Sequence, residues 1–445
     1  MLPYANNPSE ANPSATLSSG EKLSKAVASF GARFSVSSGG ERIERNLPFD
    51  PEPRIITADE FDFLERGLKQ RVRALNLFLA DVYGEGKILR DSVVPADFAI
   101  SSGGFLPEVV GVCPPLGVYA NIAGIDLVKG GGTWYVLEDN LRVPSGVSYP
   151  LTARKALEKL PLTEADMRSV GIEDSLYYKD MLSKMFSEVS RGGINALLTT
   201  GRSNCAYYEH TFLAEATGCA LCEARDLFVD DDVLYFKGAD KTERVGVLYT
   251  RVDGVYADPL AFGCSSCFGV PNLFAAYAAG NVAVVNAFGC GVADDKGLYG
   301  YVPRLIEYYL GEKAILQNAP TYLPTRGGDM AYIRDNFSSL VIKSVGDCGG
   351  HGVVFAGGLE KEKRRELLEK IESAPRNYIA QEMIDFETLP SLDGERKADL
   401  RAFVVSGKDV KVWKSGLTRY ASAADEFIVN SSHGGGFKDT WVLSR

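Results

Sequence analysis

A strand-like run, Ser339-Ser-Leu-Val-Ile, delivers Lys343 to a glycine-rich stretch that includes Gly346, Gly349, Gly350 and Gly352. A lysine at a strand end followed by glycines suits a polyphosphate. The ammonium screens charge, and residues without a Cβ let backbone N–H groups come close to the anion. No Gly-Lys-Ser/Thr ending is present, so this is not a Walker-type loop; a glycine-rich hairpin without a ligand is equally common. Further on, Tyr378-Ile-Ala-Gln381-Glu382-Met383-Ile384 is an apolar strand ending in Gln-Glu, a form of hinge whose backbone receives an adenine edge. In Asp399-Leu-Arg401 the arginine lies on a strand, facing either an anion in a cleft or a carboxylate at the strand edge.

A second group lies far ahead of Lys343 in the chain. Asp126 falls on one strand, and Glu138-Asp-Asn140 on the next. Strand alternation puts Glu138 and Asn140 on one face and turns Asp139 to the other. Two carboxylates and an amide oxygen converging across a hairpin are hard donors suited to Mg²⁺, with phosphate oxygens completing the shell. An Asn in place of a third acid keeps the site's charge low enough to admit a triphosphate.

These residues need elements to hold them. A helix is expected from about Ala58 to Tyr83, with Thr57 and Glu60 as a capping box and Gly84 as the stop. Phe61, Leu64, Leu68, Val72, Leu75, Leu79 and Val82 form its apolar stripe, which is core packing. Tyr119–Val128 and Trp134–Leu137, joined at Gly130-Gly131-Gly132, read as a hairpin. Short apolar strands at Ala196–Thr199, Gly246–Thr250 and Val282–Val285 alternate with helical runs, the pattern of a parallel α/β sheet. Strands at Leu340–Lys343, Tyr378–Gln381, Leu400–Val405 and Val410–Trp413 give the C-terminal part an α+β character. Residues 1–20, rich in Asn, Pro, Ser and Ala, read as a poorly ordered tail.

With 445 residues, 45% of them hydrophobic, the chain can bury a large core and divide into two or three domains. A net charge of −10 argues against a nucleic-acid partner, which needs a basic footprint. The N-terminus lacks the pattern of a signal peptide and no stretch is apolar enough to span a membrane, so a cytoplasmic protein with reduced thiols is expected. Two CxxC pairs, Cys219/Cys222 and Cys264/Cys267, have the spacing of zinc ligands, but the first flanks a strand-like stretch and buried small hydrophobes are the simpler reading. Cys264-Ser-Ser-Cys267 is also faintly like a cysteine-peptidase nucleophile turn. The run beginning at His433 imitates a lipase oxyanion motif without a Gly-x-Ser-x-Gly elbow, which disfavours a hydrolase. His210 and His433 are possible bases, although a lone His is more often structural.

Together the pieces resemble the ATP-grasp superfamily. The Asp…Glu-x-Asn strands look like those that end the ATP-grasp domain of D-alanine–D-alanine ligases and of ribosomal-protein glutamate ligases, where the segment follows the phosphate lysine. Asn286 with Asp295-Lys296 resembles the Asn…Asp-Lys passage from pre-ATP to ATP-binding domain. Asp399-Leu-Arg401, Arg419, Asn430 and His433-Gly-Gly are similar to the glutamate ligases' central stretch. The rotated order is that of the circularly permuted ATP-grasp family, associated with glutathionylspermidine synthase-like proteins. Its signatures run along almost the whole chain, from Pro48-Phe-Asp50 and Pro53-Arg54 through Lys69–Asn76, Tyr208-Glu-His210, Asp258-Pro-Leu and Gly291–Lys296 to Gly416-Leu-Thr-Arg419 and Lys438-Asp-Thr-Trp441. Departures are Lys343-Ser344 for Lys-Pro, His351 for the loop's aromatic, Arg251-Val-Asp253-Gly254 for Arg-Val-Asp-Asp, and Lys397-Ala-Asp-Leu-Arg401-Ala-Phe for His-Val-Asp-Leu-Arg-Pro-Phe. None removes an expected phosphate or metal ligand; they bear on the acceptor pocket.

The resemblance implies an α/β and α+β chain with a circularly permuted ATP-grasp fold and a Rossmann-like pre-ATP domain. It divides the chain into a permuted part carrying the metal strands (21–190), the pre-ATP domain (191–295) and the ATP-binding lobes (296–445). It implies an enzyme, a Mg²⁺-dependent ATP-grasp ligase that makes an acyl phosphate from a small-molecule or peptide carboxylate and passes it to an amine or thiol acceptor. Lys296 and Lys343 would hold the α/β-phosphates and Gly349 and Gly350 a loop over them. Gln381, Glu382 and Ile384 would form the adenine hinge. Asp126, Glu138 and Asn140 would hold two Mg²⁺ ions. Arg401 would stabilise the transferred phosphoryl group, with Arg142 and Arg419 nearer the carboxylate. The alternatives are a nucleotide-binding phosphotransferase and a catalytically silent ATP-grasp partner protein. If the permuted reading holds, Glu138, Lys343 and Arg401 share one cleft.

Overall fold

A computed structural model describes residues 22, 24–38, 41–158, 171–346, 352–391, 394–424, 426, 429 and 435–445. The expected tail at 1–20, Gly349, Gly350, His351, Asn430 and His433 lie outside the described residues.

The long helix α1 spans Ala58–Val82, and Thr57 caps it, its hydroxyl accepting the Glu60 N–H at 3.3 Å. Glu60 does not complete a capping box. Its carboxylate instead accepts from Trp134 Nε1 at 2.8 Å and pairs with Lys129 Nζ at 2.8 Å. The whole apolar stripe from Phe61 to Val82 is buried. Of the polar residues of α1 buried with it, Arg71 and Asn76 tie the helix to the hairpin that follows. Arg71 donates from Nε and Nη2 to both oxygens of Asp139, each at 2.6 Å. Asn76 Oδ1 accepts the backbone N–H groups of Tyr119 and Ala120. Those amides are therefore lost to any ladder, and the strand expected from Tyr119 begins only at Ile122.

Strands β2 (Ile122–Gly130) and β3 (Thr133–Asn140) form that hairpin, and both belong to a nine-stranded sheet. Starting from the short strand Gln317–Asn318, the order continues β3, β2, β12 (Arg396–Ser406), β13 (Leu417–Tyr420), β14 (Gly436–Val442) and β1 (Phe49–Ile56). Strands from the first third of the chain thus pair with strands near its C-terminal end. The register sets Asp126 opposite Arg401 on one side and opposite Glu138 on the other. A bulge follows, because Leu127 pairs with Val136 and leaves Leu137 as the extra residue. Bulges of this kind re-aim side chains, and here Leu137 and Glu138 both face the central cavity.

The second sheet is built on parallel strands in the order β5 (Ala220–Cys222), β4 (Ile194–Leu198), β6 (Thr242–Thr250) and β7 (Ala283–Val285), with two antiparallel strands at 227–237 extending it. Helix α3 (Tyr207–Thr217) crosses between β4 and β5. The third sheet is smaller: β8 (Thr321–Tyr322), β11 (Tyr378–Glu382), β9 (Leu340–Ser344) and β10 (Val353–Phe355). With α5 (Asp329–Asn336) and α6 (Lys361–Ser373) it encloses its own small core around Ile333, Ile342, Ile371 and Ala380. Between the parallel sheet and the small one lies a one-turn helix, α4 (Lys296–Tyr299). The helix Ser148–Glu158, α2, follows the hairpin. Among the described residues, no helix is long and apolar enough to cross a membrane.

Candidate active site

The three sheets meet around a cavity of about 620 Å³. Eleven of the thirteen residues singled out from the sequence line it: Asp126, Glu138, Asn140, Arg142, Lys296, Lys343, Gln381, Glu382, Ile384, Arg401 and Arg419. The other two are Gly349 and Gly350, outside the described residues.

Lys343 reaches the cavity from β9. Burial pushes its ammonium down to about 8; Glu138 and Asp126 pull it back up, while Lys296 works with burial. No ion pair closes on it among the described residues. Lys296 opens α4, whose first turn is fixed by Asp295: the carboxylate accepts the Gly297 N–H at 2.8 Å and is itself bound by Arg376 at 2.7 Å. The Lys296 ammonium lies 3.3 Å from Glu138 Oε1. Two cations held close together, one of them suppressed by its surroundings, favour an incoming anion.

Glu138 and Asn140 project from β3 into the cavity while Asp139 is buried behind the strand, on Arg71. Asn140 Nδ2 is buried with no partner among the described residues. Because the two ends of an amide are assigned from their surroundings, a turn of this group would present its oxygen instead. Asp126 differs. Its Oδ1 accepts from Arg401 Nε at 2.7 Å, and its Oδ2 from Arg401 Nη2 at 2.8 Å and Arg419 Nη2 at 2.9 Å. Burial alone would raise this carboxyl, but the two guanidinium groups outweigh it and hold it well below the usual carboxylate range. Glu138 and Asn140 offer oxygen donors of the kind a divalent cation takes, and would be the residues to hold one. Asp126 would join them by exchanging arginine partners. Among the described residues no group of three or more His, Cys, Asp and Glu side chains forms a cage for a metal.

The arginines at this end are all engaged. Arg419 spans Asp126 and Asp399, reaching Asp399 at 2.5 and 2.9 Å. Arg401 Nη1 donates to the Ser145 carbonyl at 3.0 Å. Arg142 donates from Nε to Asp294 at 2.6 Å and from Nη1 to Asp253 at 2.8 Å. At Gly124, next to this cluster, an added Cβ would press on Pro144 at 3.0 Å and on Arg401 at 3.3 Å.

At the opposite end, the hinge strand uses its side chains outward. Gln381 donates to Thr321 Oγ1, and the Glu382 carboxylate accepts from Tyr322 at 2.7 Å and Tyr332 at 3.0 Å. Beside them the cavity is lined by the apolar residues Val341, Val353, Phe355, Met383, Ile384 and Phe386. That is the composition of a slot for a flat apolar ring.

Sequence reasoning gave no role to the residues that lock the site together. The Glu209 carboxylate, on α3, accepts from Gly146 N, Ser148 N and Ser148 Oγ at 2.7, 3.1 and 3.0 Å, fixing the turn between β3 and α2. Arg251 pairs with Glu209 at 2.9 Å with both side chains 1% exposed. Asn286 accepts the Ile122 N–H and donates to the Ile122 and Leu141 carbonyls. Asp294 holds the backbone N–H groups of Leu141 and Arg142. The signal was available as charged residues inside otherwise apolar runs, at Tyr208-Glu209-His210 and Arg251-Val-Asp253. His210 serves packing: it is buried, its Nδ1 is 2.7 Å from Thr199 Oγ1, and burial, aided by Arg251, lowers it to about 2. Cys219 and Cys222 are buried thiols, and Cys222 points to the Leu197 carbonyl.

Comparison with known proteins adds the family. The model of the circularly permuted ATP-grasp type 2 family matches residues 53–421. An uncharacterized protein of Synechocystis sp. is 42% identical over 94% of this chain and 89% of its own length. An uncharacterized protein of Mycobacterium leprae is 40% identical over 95% of this chain and 76% of its own. A Frankia casuarinae protein named "Putative glutamate--cysteine ligase 2-2" is 40% identical over 91% of this chain, which spans 48% of that protein. Among solved structures, a glutathione synthetase-like effector from Globodera pallida superposes with a TM-score of 0.60 at 10% identity, covering 98% of this chain and 99% of that one, a likeness of fold. This chain belongs to the circularly permuted ATP-grasp type 2 family.

Proposed function

We propose that this member of the circularly permuted ATP-grasp family is an ATP-dependent ligase that activates a carboxylate as an acyl phosphate and joins it to an amine or thiol. One observation carries the reading: two lysines, an oxygen-donor pair and an arginine cluster, drawn from widely separated parts of the chain, line a single cavity with an apolar slot at one end. In this reading the adenine lies in the slot beside Ile384, against the Gln381–Glu382 backbone. Lys343 and Lys296 hold the phosphate chain. Mg²⁺, when bound through Glu138 and Asn140, would neutralise charge developing on the phosphates. Arg401, beside Asp126, steadies the phosphoryl group as the carboxylate oxygen attacks phosphorus and the bond to ADP breaks. The acceptor nitrogen or sulfur then attacks the acyl carbon, expelling phosphate. The chain's own contribution is positioning and charge stabilisation. The name of the Frankia protein makes glutamate and cysteine sensible members of a first substrate panel.

The test is ADP release with Mg²⁺ATP across acids paired with amines, amino acids and thiols. Release that requires one acid and one acceptor, with an amide or thioester product, is the expected result. Absence of nucleotide binding in the native protein, with Lys343→Ala changing nothing, would refute it. The closure of Asp126 by two arginines favours a second reading, a nucleotide-binding protein without ligation. Binding without turnover on any pair would select it.

A further inference from the structure

A second cavity, of about 290 Å³, adjoins the main one. It is bounded by the turns at 102–104 and 289–291 and by the one-turn helix Gly254–Ala257. Arg142, Asp253 and Asp294 line both cavities and form the partition between them. Asp294, 12% exposed, is committed to structure: it accepts the backbone N–H groups of Leu141 and Arg142 and the Nε–H of Arg142. The other two are open, Arg142 being 40% and Asp253 32% exposed. A guanidinium carries five N–H donors. In Arg142, Nε serves Asp294 and one donor of Nη1 serves Asp253 at 2.8 Å; the remaining three, both of Nη2 among them, make no hydrogen bond among the described residues. On the other side of the pair, Asp253 Oδ1 has only the Val255 N–H among the described residues, at 3.5 Å, beyond the ordinary range of such a bond.

An arginine fixed along one edge, with its other donors open, is a ready receptor for a carboxylate. A half-exposed carboxylate oxygen suits an ammonium. Arg142 and Asp253 stand side by side, so the ligand that satisfies both carries one charge of each sign close together. An α-amino acid does so, because its ammonium and carboxylate share one carbon. A ligand with the ammonium alone would leave the guanidinium donors unused. One with the carboxylate alone would meet a partition whose two acids and one arginine are net negative. The place suits a second substrate: one side of the partition faces the space lined by Lys343 and Arg401, and the other faces a space lined by neither. The second cavity's size is at the lower end of small-molecule pockets, roughly 300 Å³.

We propose that the second cavity receives the acceptor and that the acceptor is an α-amino acid, its carboxylate on the open donors of Arg142 and its amino group on Asp253. The role of acceptor rests on the ligase reading, but the binding is testable without turnover. In that reaction the bound ammonium gives one proton to solvent and its nitrogen lone pair attacks the acyl carbon. The second proton leaves with the phosphate as the acyl C–O bond breaks. Arg142 then serves the acceptor, and Arg401 the group that is activated. Native protein loaded with Mg²⁺ and a non-hydrolysable ATP analogue is titrated by calorimetry with the common L-amino acids and with the amines that lack their α-carboxylate. At least one amino acid should bind, and its amine should bind about 10-fold more weakly or worse. Asp253→Asn should weaken that amino acid about 10- to 100-fold, the range of one hydrogen bond to a charged group, and leave analogue affinity within about threefold. If Asp253→Asn does not fold, Gly103→Trp makes the same comparison by occluding the cavity: Gly103 lines the second cavity and not the first, and a Cβ there meets nothing within 4 Å. Equal amino-acid affinity in native and variant proteins would overturn the proposal. So would an amine that binds as tightly as its amino acid, or failure of every amino acid to bind the native protein. Amino-acid binding that depends on Asp253, with no ADP formed from ATP on any acid, would uphold the site and refute the ligase reading instead.

Discussion

Lys343 and Arg419 stand on different walls of one cavity and meet opposite surroundings. Lys343 is held by burial at a depressed pKa, with no closing ion pair among the described residues. Arg419 is sealed between Asp126 and Asp399, which hold it well above even the usual arginine range despite burial. The lysine end carries charge that folding does not need. The arginine end carries charge that the fold has already used. In the proposed ligase, nucleotide phosphates would meet the open lysine, whereas the reacting groups would engage arginines that already have partners. One pair of sheets accommodates both because the small sheet supplies the lysine and the large sheet supplies the arginines.

The largest expected effect breaks the sealed end. Arg419→Ala leaves Asp399 without its guanidinium and Asp126 with only Arg401, and should cost the ligand-free protein about 3–5 kcal/mol of unfolding free energy in urea. Restoring part of that loss by adding Asp399→Asn would tie the cost to the stranded carboxylate. Lys343→Met attacks the open end and should behave in reverse. Nucleotide affinity is expected to fall about a hundredfold, roughly 2.7 kcal/mol, in a titration calorimeter. The apo melting temperature should hold steady or rise by a few degrees, since a buried, poorly paired ammonium has been removed. If both variants lower apo stability alike, the contrast between the two ends is wrong.

A smaller effect tests the joint between the ends. Gly146 has φ +107°, and a Cβ there would lie 2.5 Å from Leu417 Cδ2. Gly146→Ala should cost about 1–3 kcal/mol of stability and, by shifting Ser145, weaken the acid more than the nucleotide. An equal loss for both ligands in paired titrations would mean that the turn serves the whole fold and not the acid side.

Much of this was readable beforehand, for a physical reason. Lys343, Glu138 and Asn140 announce themselves because strand alternation forces a polar residue in an apolar strand to one face, and the rotated order of the motifs demanded that β2 and β3 pair near Arg401. The α1 stripe was legible from its periodicity. The start of β2 was not, because Asn76, far off in sequence, captures the amides of Tyr119 and Ala120. Nor was the state of Asp126: a sequence displays the carboxylate, but only the register against β12 and the reach of Arg419 from β13 show that guanidinium groups hold both its oxygens. Glu209 and Arg251 were visible as charges yet not as a pair, since they stand on separate elements, α3 and the end of β6, that only the fold brings together.

The most graded test of the open end is pH. Lys343 in the free protein titrates at about 8, against an ordinary value of 10.5. A phosphate chain binds the ammonium form and would raise its pKa. Below pH 8 the lysine is already charged and affinity is flat; above it, each unit of pH removes the form that binds. Between pH 7 and 9 nucleotide affinity should therefore fall about tenfold. Stability of the ligand-free fold runs the other way through this group. The unfolded chain keeps the proton up to 10.5 while the folded one releases it from about 8, so between those values the unfolded state binds more protons and this contribution to folding rises with pH. Opposite slopes from one side chain are hard to imitate by general alkaline damage, which would lower both. Lys343→Met should flatten the affinity profile above pH 8, and a variant that keeps the full tenfold fall would move the titration to Lys296 or the nucleotide and close the open end after all.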